Sequence, residues 1–150
     1  MEVIHGDLLK HFETGKFDVM VHGCNCFHTM GAGIARQIKT NYPDAFKADL
    51  ATVKGDKSKL GTYSACKIDL ANRFILNAYT QYLYGRGLQV DYDAVKRVFE
   101  AIDRDFQDKV IGIPQIGAGL AGGDWAKIRD IIESATTNNR IVLVMYRANK

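Results

Sequence analysis

Near the end of the chain stand five consecutive apolar residues, Ile141-Val142-Leu143-Val144-Met145, bounded by Arg140 and Tyr146. A run this short reads as a strand, and an unbroken apolar run marks a strand covered on both faces. Such a strand needs a layer of helices on each side, which directs the whole chain toward a three-layer α/β/α sandwich. The rest of the sequence agrees. Met1 to His5 reads as a short strand ended by Gly6-Asp7, and Phe17 to Cys24 as a buried central one. Two further strands are expected around Tyr63 to Ile68 and Arg73 to Tyr79, and a brief one at Val110 to Ile113, stopped by Pro114.

Between them lie segments with helical spacing. Ile34, Ile38 and Tyr42 recur every four residues, and Pro43 can open another short helix with Phe46, Leu50 and Val53 on one side. The clearest helix runs from about Asp91 to Asp108, where Tyr92, Val95, Phe99, Ile102 and Phe106 form a continuous apolar stripe. Trp125, Ile128, Ile131, Ile132 and Ala135 define the last one. No repeat, linker or low-complexity run divides the 150 residues, so a single domain over 1–150 is expected. At 47% hydrophobic and 25% charged the composition is that of a globular chain, with no apolar run long enough to span a bilayer. An odd count of three cysteines fits no closed disulfide framework and suggests a reducing, cytoplasmic setting. A net charge of +3 without a dense Lys/Arg stripe admits an anionic ligand and argues against nucleic acid.

Two segments each follow an apolar strand, carry several glycines and run into a helix: His22 to Ile34, and Pro114 to Trp125. Glycine lets the backbone approach a phosphate, and a helix start offers unpaired N–H groups. Neither segment is a Walker loop or a full dinucleotide fingerprint. Either alone reads as a tight connection; two in one small domain read as a grip on a pyrophosphate.

The early His5-Gly6-Asp7-Leu8, the Cys24-Asn25 pair with Gly31-Ala32-Gly33-Ile34-Ala35, and the block Ile116-Gly117-Ala118-Gly119-Leu120 together resemble the macro domain, an ADP-ribose-binding module. The likeness spans nearly the whole chain and is strongest to small stand-alone forms bearing His-x-Cys-Asn-Cys, which include ADP-ribose 1″-phosphate phosphatases. It implies a mixed sheet of about six strands. It places Asp7 at the adenine amino group with Leu8 beside it, and Tyr146 stacked on adenine. The loops from Met30 through Gly31, Ala32 and Gly33 to Ile34, and from Ile116 through Gly117, Ala118, Gly119 and Leu120 to Ala121, would cradle the two phosphates. Asn25 would meet the distal ribose.

Each assignment has a plainer alternative. Asp7 can be a turn or helix cap, Tyr146 a rim aromatic, Asn25 an Asx turn, and Asp124 the N-cap of the Trp125 helix. His22 ends a buried strand, where a core histidine is usual, yet the phosphatase-like subgroup makes it a catalytic candidate. An imidazole titrating near 6.5 suits that work, and His28, in the loop itself, is the second choice. Asp124 is a third. Cys24 and Cys26 lack a second ligand pair, so neither metal nor cofactor is expected, and no partner marks either thiol as a nucleophile. The stretch Tyr79 to Gly87 is expected to wall the distal-ribose pocket. A de-ADP-ribosylating subgroup uses a lysine and an aspartate where this chain has Gln81 and Ala121. The leading expectation is therefore a phosphatase converting ADP-ribose 1″-phosphate to ADP-ribose and phosphate. The alternatives are a non-catalytic ADP-ribose reader and an ADP-ribosyl ester or amide hydrolase. Expected partners are ADP-ribose derivatives, free or carried by a protein, with no membrane.

Overall fold

The computed structural model describes residues 1–68, 71–85, 87–119 and 121–147. Six strands, β1 (Glu2–Gly6), β2 (Val19–Cys24), β3 (Tyr63–Ile68), β4 (Arg73–Tyr79), β5 (Val110–Ile113) and β6 (Arg140–Tyr146), form one sheet in the order β1-β6-β5-β2-β4-β3. All neighbours pair in parallel except β3, which lies antiparallel to β4 at one edge. This is the expected mixed sheet. Among the described residues five α-helices cover it: α1 (Leu8–Glu13), α2 (Gly33–Asn41), α3 (Pro43–Leu50), α4 (Tyr92–Asp105) and α5 (Trp125–Ala135).

Strand alternation sorts the core into two halves. Val19, Val21, Leu76, Ala78, Ile111, Ile113, Ile141 and Leu143 face α4 and α5, meeting Val95, Val98, Phe99, Ile102, Ile128 and Ile132. Met20, Cys24, Ile75, Tyr79, Val142 and Val144 face the other way, toward Leu8, Leu9 and Phe12 of α1, Ile38 of α2 and Ala45 of α3. Both faces of β6 are thus covered, as its unbroken apolar run requires.

The structure adds one element to the sequence reading and changes the account of another. The segment after Gly6-Asp7 is a helix, α1, which Asp7 caps; at six residues it is too short for periodicity to announce. The helix opened by Pro43 buries Ala45 and Asp49, while Leu50 and Val53 are 48% and 67% exposed. Phe46 of the expected stripe packs against the core, but apolar spacing misses Asp49, because the buried face of α3 carries a carboxylate with a partner.

Gly112 of β5 lies beneath Phe17, and a Cβ there would stand inside the contact distance of that buried ring. Gly112→Ala should therefore cost about 1–3 kcal/mol through overpacking. Chemical denaturation checks this; unchanged stability would mean that the ring can yield.

Candidate functional site

Because β1, β6, β5, β2 and β4 run in parallel, their carboxyl ends share one edge of the sheet. β2 pairs with β4 along its full length, from Val19↔Phe74 to Cys24↔Tyr79. With β5 it pairs only at Val19↔Ile111 and Met20↔Gly112. Beyond Met20 the two strands part. The helix that follows β2 covers one face and the one that follows β5 covers the other, so the gap is a topological switch point, where open α/β sheets bind ligands. Each glycine-rich segment leaves one of these two strands.

The first loop turns on Asn25, whose Oδ1 accepts from Phe27 N–H at 2.8 Å while its Nδ2 donates to Thr29 Oγ1 at 2.6 Å. The Asx turn considered from sequence is thus present, and one Nδ2 hydrogen remains. Cys26 fastens the loop from below: its N–H donates to Tyr82 O, and its carbonyl accepts from Gly55 N–H and from the buried Lys59 Nζ at 3.1 Å. His28, Met30 and Gly33 take positive φ values of 61°, 37° and 57°. Met30 is buried, but Gly31, Ala32 and Gly33 are exposed, and Ile34 is half-buried just inside α2. Ala32 gives α2 no side-chain cap, so the first N–H groups of that helix are left for an anion.

His28 is half-buried, with Nε2 3.0 Å from Thr52 Oγ1. The Thr52 hydroxyl spends its proton on Asp49 O at 2.6 Å, so it can only accept from the ring. In the neutral ring Nε2 of His28 therefore carries the hydrogen and Nδ1 the lone pair.

In the second loop Ile116 and Ala121 are buried, Gly117 and Ala118 half-buried and Gly119 exposed, while Leu120 lies outside the described residues. Gly117 needs its positive φ of 74°, and a Cβ on Gly123 would come within 2.6 Å of Gly117 O. Ala121 O accepts from Gln89 N–H and Val90 N–H, which ties this loop to the one after β4. Asp124 is exposed and caps α5, accepting from Ala126 N–H at 3.0 Å.

At the other end of the edge, Asp7 Oδ1 accepts from Leu9 and Lys10 N–H at 3.0 and 3.2 Å, again a cap. Leu8 is turned into the core. Gly6 is in register with Tyr146, which is 75% exposed. The structure thus brings an aspartate and an open aromatic ring to the ends of adjacent strands.

His22 lies in the core. It is 0% exposed, and its Nε2 donates to Asn77 Oδ1 at 2.6 Å. The Asn77 amide is fixed in that sense because its Nδ2 donates to Ala45 O and Ser64 Oγ. Burial pulls the imidazole down to about 4, so it is neutral at physiological pH. The ring is sealed in the core and held by an amide, the position of the core histidine that the sequence also allowed. Burial likewise raises the Cys24 and Cys26 thiols. Among the described residues no three His, Cys, Asp or Glu side chains converge to hold a metal. Asp49, Asn77 and Lys59 escaped sequence reading, although Asn77 within an otherwise apolar strand is an anomaly that could have flagged the first two.

Comparison with known proteins identifies the family and the fold. The macro domain model matches residues 21–132, and the chain belongs to that family. A protein of Enterobacteria phage T4, described as the uncharacterized 17.5 kDa protein in the tk-vs intergenic region, is 34% identical, over 96% of this chain and 95% of its own. An ADP-ribose 1″-phosphate phosphatase of Debaryomyces hansenii is 26% identical, over 88% and 92%. A DNA ADP-ribosyl glycohydrolase of Mycobacterium tuberculosis is 28% identical over 87% of this chain, which spans only 37% of that protein. The solved macrodomain of Thermus aquaticus DarG has the same fold, with a TM-score of 0.78 at 22% identity over 98% and 97% of the two chains.

The neutral core position of His22 makes stability depend on pH. Its folded pKa lies below the ordinary 6.5, so its contribution is complete above 6.5. Between 6.5 and about 4 the unfolded chain takes up a proton that the native chain refuses, and that stability is lost. The loss amounts to about 3 kcal/mol over the window. Denaturant titrations should show the advantage of the wild type over His22→Gln narrowing as pH falls through that window. A constant difference would mean that the native ring titrates normally.

Proposed function

We propose that this macro domain binds ADP-ribose along the carboxyl edge of the sheet and hydrolyses ADP-ribose 1″-phosphate to ADP-ribose and phosphate. The observation that carries the reading is the placement of the two glycine loops on the strands that flank the gap between β2 and β5. Adenine would lie against Tyr146, with Asp7 Oδ2 accepting from its amino group while Oδ1 caps α1. The N–H groups from Gly31 to Ile34 and from Gly117 to Ala121 would hold the pyrophosphate, and the remaining Nδ2 hydrogen of Asn25 would meet the distal ribose.

For the chemical step, His28 replaces His22 and Asp124, one being sealed in the core and the other serving as a cap. The free Nδ1 of His28 is suited to take a proton from water as the water oxygen attacks phosphorus. The bond from phosphorus to the anomeric oxygen breaks, and the imidazolium returns the proton to that oxygen. The likeness to the Debaryomyces phosphatase over most of both chains supports this substrate. One observation favours a second reading, removal of ADP-ribose from a macromolecule: Leu83, Tyr84 and Leu88 are each exposed on the loop after β4. Phosphate release from ADP-ribose 1″-phosphate separates the two.

Gly119 has open space where a Cβ would stand, so Gly119→Leu should fold normally and lose ADP-ribose binding in calorimetry. Wild-type protein that gives no heat and no thermal shift with millimolar ADP-ribose would end the reading.

His28→Ala should lower phosphate release by about a hundredfold to ten-thousandfold while ADP-ribose affinity holds. Full activity in that variant would exclude His28 as the base.

A further inference from the structure

Thr80 is the first residue past β4, and its backbone is fully used: its N–H donates to Cys24 O at 3.2 Å and its carbonyl accepts from Asp91 N–H at 2.8 Å. Its side chain is not. Thr80 is 0% exposed, and among the described residues its Oγ1 is the one buried side-chain oxygen or nitrogen without a hydrogen-bond partner. A buried hydroxyl in that state is destabilising, and native chains rarely leave one without a use.

The place of this oxygen is telling. A Cβ on Gly23 would stand 2.7 Å from Thr80 Oγ1 and 3.2 Å from Ile116 Cγ2. The hydroxyl therefore overlies the half-buried Gly23 backbone, on the stretch of β2 that has parted from β5, with an Ile116 methyl beside it. Asn25 follows two residues later on the same strand end. The orphaned hydroxyl thus lies over the end of β2, against the loop that leaves β5, on the margin of the switch-point gap.

We propose that Thr80 Oγ1 is a ligand-binding group that accepts a hydrogen bond from a hydroxyl of the distal ribose once the Ile116 side chain turns aside. The assignment rests on the ADP-ribose reading above and adds to it a residue that discriminates ADP-ribose from ADP, which lacks that sugar. A hydroxyl kept without a partner costs the free protein something and is repaid only by the correct ligand.

The test is Thr80→Val, which keeps the shape and removes the oxygen, with Thr80→Ser as the control that restores it. Calorimetry with ADP-ribose and with ADP, and thermal melting without ligand, are measured for all three proteins. In Thr80→Val the free protein should melt at or above the wild-type temperature, since an unsatisfied group has been removed. Its ADP-ribose affinity should fall about three- to tenfold, the usual worth of one neutral hydrogen bond. ADP affinity should be unchanged, and Thr80→Ser should bind ADP-ribose as the wild type does. Unchanged ADP-ribose affinity in Thr80→Val, an equal loss for ADP, or a melting temperature several degrees lower would each overturn the assignment. Wild-type protein that binds neither nucleotide would instead refute the underlying ADP-ribose reading.

Discussion

The side-chain amide of Asn77 holds the centre of this molecule together. Its Oδ1 accepts a hydrogen bond from His22 Nε2 of β2, and its two N–H groups donate to Ala45 O in α3 and Ser64 Oγ in β3. One buried residue of β4 thereby joins both neighbouring strands and the helix above them. With each of its donors used and its oxygen taken, the group avoids the penalty that burial would otherwise impose. The direction of the hydrogen bonds propagates onward. Tyr79 O–H donates to the Asp49 carboxylate, so Ser64 O–H must donate to Tyr79. A single ordered chain thus runs from the core histidine to a carboxylate buried on α3.

That chain ends close under the first glycine loop. Thr52 donates to the Asp49 carbonyl and accepts from His28, while Lys59 holds the Cys26 carbonyl with its ammonium 4.8 Å from the centre of the Tyr79 ring. The left-handed backbone at His28 and Met30 is unfavourable for such residues in isolation. It persists here because Tyr82, Gly55, Thr52 and Lys59 fix the loop from several sides. The rigid polar core and the shape of the loop are consequences of the same few bonds.

How much of this was legible in the sequence follows from what sequence patterns record. The unbroken apolar run of β6 and the stripe of α4 report burial directly, and the strands and longer helices fall where those patterns put them. The glycine segments were visible because glycine marks special backbone. Pairing was not: nothing in the letters says that β2 leaves β5 after Met20. The sorting of histidines also needed coordinates. On paper His22 is the first candidate for acid or base and His28 the second, and only the partners Asn77 and Thr52 show that one is buried in the core and the other braces the glycine loop. Asp7 and Asp124 were legible as caps, because that role depends on local chain alone.

The three cysteines have a practical consequence. All are buried, all have thiols raised by burial, and all belong to the half of the core under α1, α2 and α3. A folded molecule therefore offers almost no thiolate to an alkylating reagent. Labelling proceeds at the pace at which that layer lifts from the sheet, and it is blind to motion of the α4 and α5 layer. The chain carries, in its own residues, a chemical gauge of opening on one face alone.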